Sequence, residues 1–318
     1  MTTSLAKSAV HILGSGSIGL FLAARGAPAT TLLLRDHHRP RVDKETNTIP
    51  IDIYPGTPTG VPERCHGFVQ LISDLDGHPI RQLVLTTKAF DALSAVQTVQ
   101  NHLEKDCQVL ILCNGGLAVR QELRSTVSNL QVGSVTHGVY RVDDDDVDDA
   151  SYGICHAGVG KLFLPQPVAT DLIHVPWPGM ESVSSKSMER ILWQKLAANA
   201  VCNPLTALYQ CTNGQMAAVV PDFDQIMHGV TAEMVQVQQR VRGSLTLDET
   251  LDFVQQVIAD NADNRSSMHQ DVFFGRPTEI MYLNGYIVQE ARRYGVPCPY
   301  NTELVQRIQE VESKYRES

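Results

Sequence analysis

Near the N-terminus of this 318-residue chain a strand-like run passes through a glycine turn into a helix, and few folds accommodate that order. Ala9-Val10-His11-Ile12-Leu13 reads as a short buried strand, and Leu20 to Arg25 has helical patterning. Between them stands Gly14-Ser15-Gly16-Ser17-Ile18-Gly19, a GxGxxG. In such a turn the first glycine permits the tight bend, the second lets backbone approach a pyrophosphate, and the third lets helix pack on strand. The helix N-terminus then faces the phosphates. A glycine-rich turn alone says little; flanked by a strand and a helix it predicts a dinucleotide site.

Three further apolar runs end in the same way. Thr30 to Leu34 ends at Arg35, Leu83 to Thr87 at Lys88, and Val109 to Cys113 at Asn114-Gly115-Gly116. Four strand ends carrying glycines or polar residues predict one parallel sheet whose carboxyl edge binds a ligand. At the end of the second strand an acidic residue would accept from ribose hydroxyls, whereas Arg35 suits a 2′-phosphate and favours NADP(H). Asp36 follows directly and could play the NAD role. Pro50 to Gly67 reads as loops and irregular strands. Gly133 to Val142 and Ser151 to Leu164 read as an antiparallel hairpin with the acidic run Asp143 to Asp149 at its tip. That run lacks EF-hand spacing, and His137 and His156 have no third ligand, so no metal site is expected. Pro165 to Ser187 reads as the domain boundary.

From Met188 onward the patterning is helical. Leu192 to Pro204, LWQKLAANAVCNP, is apolar nearly all round, yet Lys195, Asn199 and Asn203 recur at i, i+4 and i+8 on one stripe. Pro204 predicts a helix end and a bend at Asn203. Asp222 to Arg242 reads as a long helix. Thr246 with Glu249 forms a capping-box pattern opening Leu247 to Asp260. Pro277-Thr278-Glu279-Ile280 predicts the start of a helix with Ile280, Leu283, Ile287 and Ala291 inward and Gly295 as its stop, and Asn301 reads as the cap of the last helix.

The expected architecture is an α/β Rossmann-type N-terminal domain, residues 1–185, and an all-α C-terminal domain, residues 186–318. A net charge of −9 argues against nucleic acid as the main partner. No apolar run approaches the ~20 residues that span a bilayer, and the first strand begins too early for a signal peptide, so a cytoplasmic location without membrane association is expected.

LWQKLAANAVCNPLTAL (192–208), SSMHQD (266–271) and TEIMYLNG (278–285), with HILGSGSIG, TTKAFD, CNGG and GVPCPYNT in the same order, resemble the ketopantoate reductase family over nearly the whole chain. The resemblance implies NADPH-dependent reduction of 2-dehydropantoate to (R)-pantoate, a step of pantothenate and coenzyme A biosynthesis, with the active site in an interdomain cleft. It implies that Lys195 is the catalytic lysine, with Glu279 beside it and near the cofactor. Asn199, Asn203 and Ser267 match substrate-binding positions, with Asn264 and Asp271 as weaker matches. Asn114 matches a residue near both nicotinamide and substrate, and Arg35 and Lys88 match contacts at the adenosine phosphate. The glycine turn Gly14, Ser15, Gly16, Ser17, Ile18 and Gly19 completes the cofactor set.

Met281 departs from the acidic residue common after TEI, Arg265 from an apolar residue before SSM, and Cys202 from an aliphatic one. The expected ligand is a small 2-oxo acid, and a homodimer is left open. Reduction needs a proton for the developing alkoxide. Burial would lower a lysine pKa from about 10.4 by roughly 3 to 5, and an adjacent carboxylate restores about 1 to 3, so Lys195 would stay protonated near neutral pH. Two alternatives remain: a paralogous reductase of another 2-oxo acid or ketone, and a non-catalytic NADP(H)-binding regulator.

Overall fold

The computed structural model describes residues 10–316, apart from 76, 143–150, 173 and 242. The acidic run Asp143 to Asp149 lies outside the described residues. The chain divides into two units between Met188 and Glu189.

The first unit contains β1 (Val10–Leu13), α1 (Ser17–Gly26), β2 (Thr30–Leu34), β3 (Thr48–Pro55), β4 (Glu63–Leu71), β5 (Ile80–Leu85), α2 (Ala92–Val99), β6 (Leu103–Ile111), α3 (Gly116–Leu123), β7 (Asn129–Val132), β8 (Ser134–Val135), β9 (Gly138–Arg141), β10 (Tyr152–Gly158), β11 (Leu162–Pro165), α4 (Gln166–Asp171) and β12 (Met180–Val183). Nine strands form one sheet in the order β7-β6-β5-β1-β2-β4-β3-β10-β9, and β12-β11-β8 form a smaller one. The strands from β7 to β4 are parallel. All five residues of β2 are buried, as a strand covered on both faces requires. Leu20, Phe21, Leu22 and Ala23 of α1 are buried in the same core as Leu32, Leu34, Ile51 and Ile154. Each such side chain contributes about 1.5–3 kcal/mol by leaving water, before chain entropy is counted.

One expectation fails in this unit. The stretch from Pro50 to Gly67 is not mainly loop: β3 and β4 pair antiparallel from Thr48↔Phe68 to Ile53↔Glu63. Ile49, Ile51 and Ile53 alternate inward there, a strand signal that the prolines obscured. Pro165 to Ser187, read as the domain boundary, ends one residue before the division and supplies α4 and β12. The hairpin is present as β9 against β10.

The second unit is helical: α5 (Ser185–Tyr209, starting before the division), α6 (Met216–Val219), α7 (Phe223–Val241), α8 (Leu247–Asp260), α9 (Ser267–Phe273), α10 (Asn284–Tyr294) and α11 (Pro299–Arg316). Thr246 caps α8, accepting from Glu249 N at 3.4 Å. Three local expectations are corrected. α5 does not end at Asn203 but runs through Pro204 to Tyr209. Glu279 does not open an α-helix: a short 3-10 turn, Ile280–Tyr282, follows it, and Leu283 breaks the geometry before α10. Asn301 is not a cap, because it lies inside α11 and is fully buried. The cap is Glu233 of α7, whose carboxylate accepts from Tyr300 N at 2.8 Å and Asn301 N at 2.9 Å.

Candidate functional site

In the first unit the strand ends are level. Leu13 pairs with Leu33 and Leu85, Leu85 with Ile111, and Leu34 with Leu71. Gly14, Arg35, Lys88 and Asn114 therefore follow the carboxyl ends of β1, β2, β5 and β6. Gly14 has φ of 123°, and a Cβ there would stand 2.6 Å from Thr87 N. At Gly19 a Cβ would meet Gly14 O at 1.8 Å. Thr86 clamps this turn, its hydroxyl donating to Gly14 O at 2.9 Å. Gly16 differs: the nearest atom to an added Cβ is Thr86 O at 3.9 Å, so the protein itself leaves the space beside it open. Gly16 is exposed and precedes α1, while Ser15, Ser17 and Ile18 are half-buried. Two glycines required by packing and one facing open space fit a turn against which a pyrophosphate rests.

Arg35 is exposed at the start of the turn Asp36–Arg41. The Asp36 carboxylate is already engaged, accepting from Ser73 Oγ at 2.7 Å and from Arg39 Nη2 at 3.0 Å. The Ser73 hydroxyl, followed by Arg39, holds its pKa below the usual carboxylate value. Nearby, burial followed by repulsion from His37, Arg41, Arg141 and Arg35 pushes His38 down to about 4. Lys88 and Asn114 are both half-buried. Away from this edge, His137 Nδ1 lies 3.1 Å from His156 Nε2 and accepts from Gly160 N. Among the described residues no group of three or more potential ligands could hold a metal ion.

In the second unit α5 carries the stripe. From Leu192 to Cys202 every residue is buried except Gln194, Lys195 and Asn199, which are half-buried. Asn203 is buried, so it is not presented by a bend. Glu279 is only 5% exposed, which leaves a carboxylate largely removed from water. Ser267 is exposed as the first residue of α9. The N-cap hydrogen bond belongs to its neighbour: Ser266 Oγ accepts from His269 N at 3.0 Å. Asn264 is exposed, with Nδ2 donating to Asn261 Oδ1 at 3.1 Å. Asp271 is buried, with its carboxylate 3.4 Å from Arg276 Nε. The structure thus collects Lys195, Asn199 and Asn203 on one helix and ties the start of α9 to the same helix through Thr206. Sequence reading quoted Thr206, Ser266 and His269 within its motifs but gave none of them a role. The signal for the cap was a serine three residues before His269 at a helix start.

A glycine turn at a level parallel-sheet edge, followed by a helical unit bearing a lysine–amide stripe, defines a two-unit dinucleotide-binding protein of the oxidoreductase type. Residues 10–162 match the family model of ketopantoate reductase PanE/ApbA, and residues 187–312 match that of ketopantoate reductase PanE/ApbA C terminal. The chain belongs to the ketopantoate reductase family, oxidoreductases that use a nicotinamide cofactor. It is 32% identical over 241 residues to a 2-dehydropantoate 2-reductase of Vibrio cholerae, covering 73% of this chain and 78% of that one. Among solved structures it resembles a PanE/ApbA family ketopantoate reductase from Ralstonia eutropha, with a TM-score of 0.79 at 22% identity over 96% of this chain and 99% of that one. It resembles D-mandelate dehydrogenase, solved with NADH and anilino(oxo)acetate, with a TM-score of 0.79 at 18% identity over 96% and 99% of the two chains.

Proposed function

We propose that this protein reduces 2-dehydropantoate to (R)-pantoate with NADPH, the reductive step towards pantothenate and coenzyme A. The observation that carries this reading is the half-buried Lys195 and Asn199 on one stripe of the largely buried stretch from Leu192 to Ala207, in a ketopantoate reductase family chain. The glycine turn, Lys88 and Asn114 would hold the dinucleotide, which supplies the hydride when bound. Arg35 would pair with the 2′-phosphate, a reading supported by Asp36 being tied to Ser73 and Arg39. Lys195 donates the proton to the alkoxide that develops on the substrate carbonyl oxygen, and Glu279 orients it and keeps it charged. Asn199 and Asn203 hold the substrate hydroxyl or carbonyl, and Ser267 donates to the carboxylate. Asn264 and Asp271 are assigned secondary contacts to the substrate.

Reduction of a different 2-oxo acid is the second reading. It is favoured by exposed Arg265 and Met281 beside the proposed site segments, and by the same fold in D-mandelate dehydrogenase. Cofactor oxidation followed with 2-dehydropantoate and a panel of 2-oxo acids separates the two by kcat/KM. Lys195→Ala, at saturating NADPH, is expected to lose about 10²–10⁴-fold in kcat; unchanged turnover would refute the acid role. Arg35→Ala is expected to erase the preference for NADPH over NADH, and an unaltered preference refutes the 2′-phosphate assignment.

A further inference from the structure

Sixty residues separate Thr206 from Ser266, yet their hydroxyls lie 2.7 Å apart. Thr206 belongs to α5, eleven residues beyond Lys195, and at 3.6 residues per turn it returns to within about 20° of the Lys195 line. The face that is half-buried at Lys195 and Asn199 becomes buried at Asn203 and fully buried at Thr206. The start of α9 meets that buried end. Thr206 Oγ1 donates to Cys202 O at 2.7 Å, so the shared proton between the hydroxyls comes from Ser266. Ser266 Oγ in turn accepts from His269 N. A second link runs beside the first: His269 Nδ1 lies 3.1 Å from Thr206 O, and because a carbonyl only accepts, Nδ1 carries the proton. Hydroxyl and carbonyl of one threonine thus both hold the first turn of α9, with proton directions fixed throughout.

We propose that Thr206 and Ser266 are positioning residues for the substrate carboxylate. By anchoring Ser266 to α5, Thr206 sets the place of the adjacent Ser267 hydroxyl along the Lys195–Asn199–Asn203 stripe. The inference rests on the reading that Ser267 donates to the carboxylate. A cap that served stability alone would not act on one substrate. A positioning pair holds a group that binds ground state and transition state alike, so its loss appears in the KM of the 2-oxo acid and not in kcat.

The test uses the full chain with 2-dehydropantoate and NADPH. Thr206→Val removes the hydroxyl at nearly constant shape and is expected to raise the 2-oxo acid KM about tenfold, with kcat and the NADPH KM within about threefold. Thr206→Ser, which keeps the hydroxyl, stays within about threefold of the parent. Ser267→Ala raises the same KM at least as much, and Thr206→Val added to it produces no further rise. If Ser267→Ala leaves that KM unchanged, the carboxylate assignment falls and the inference with it. If Ser267→Ala acts but Thr206→Val does not, or the two multiply independently, positioning alone is overturned. Should Thr206→Val fail to fold, Ser266→Ala carries the same expectation, and a lowered melting temperature with unchanged KM overturns the proposal.

Discussion

The side-chain amide of Asn284 donates to the carbonyl of Ala200 at 2.9 Å. Ala200 is four residues before Pro204, so its carbonyl is the one deprived of a helical N–H by the proline. A side chain from α10 replaces the missing donor, and α5 continues for another turn. Asn284 is fully buried and also donates to Asn301 Oδ1 at 3.0 Å. Asn284→Ala leaves two buried acceptors without that donor and is expected to cost about 2–4 kcal/mol in urea unfolding. Pro204→Ala restores the backbone N–H, so the same Asn284 substitution should cost about 1 kcal/mol less in that background. Equal cost in both backgrounds would show that the amide does not substitute for the helical donor.

The glycines of the turn should separate by phenotype. Gly19→Ala forces a methyl to within 1.8 Å of the Gly14 carbonyl and is expected to abolish soluble, folded protein or lower its melting temperature sharply. Gly16→Ala meets nothing closer than 3.9 Å and should fold with a melting temperature near that of the parent. Its methyl fills the space proposed for the pyrophosphate, so the dinucleotide KM should rise at least tenfold. A Gly16→Ala protein that binds the dinucleotide normally would remove the phosphate from that space.

Glu233 is a buried carboxylate surrounded by donors. Besides Tyr300 N and Asn301 N it accepts from Asn301 Nδ2 at 2.7 Å and from Cys298 Sγ at 3.2 Å. Glu233→Ala leaves these donors buried and unsatisfied and should destabilise by about 3 kcal/mol or more. Burial, with the Glu233 charge second, pushes the Cys298 thiol well above its ordinary pKa. Glu233→Gln removes the charge and keeps an acceptor, so Cys298 should react faster with a thiol reagent at pH 8–9. An unchanged rate would mean that burial alone governs the thiol.

What sequence alone revealed depended on how far the determining contact lay along the chain. The strand ends that line up Gly14, Arg35, Lys88 and Asn114 were readable, because each is marked by a local change from apolar to polar. So was α8, whose cap Thr246 and first turn are adjacent. The continuation of α5 through Pro204 was not, since its compensating donor is 84 residues away. The cap of α11 comes from a carboxylate 68 residues before Asn301, and no local pattern near Asn301 could reveal it. Within the candidate site, Lys195, Asn199 and Asn203 were visible as a helical stripe. The tie that fixes the neighbour of Ser267 spans 60 residues and emerged only from the fold.

His11 gives the first unit an acid-sensitive strand. Burial, with repulsion from His78 second, lowers its pKa from 6.5 to about 4, and its Nδ1 is buried without a hydrogen-bond partner among the described residues. Protonation would place an N–H there with no acceptor. In the unfolded chain the same imidazole takes a proton near 6.5. Between pH 6.5 and 4 the unfolded state therefore binds more protons, and stability falls as pH falls through that window. The parent should lose about 2 kcal/mol between pH 8 and pH 5 through this residue, beyond whatever other groups contribute. His11→Leu should lack that component, so the urea-derived stabilities of the two proteins should converge or cross as pH falls. Parallel pH profiles would show that His11 takes its proton in the folded state as readily as in the unfolded one.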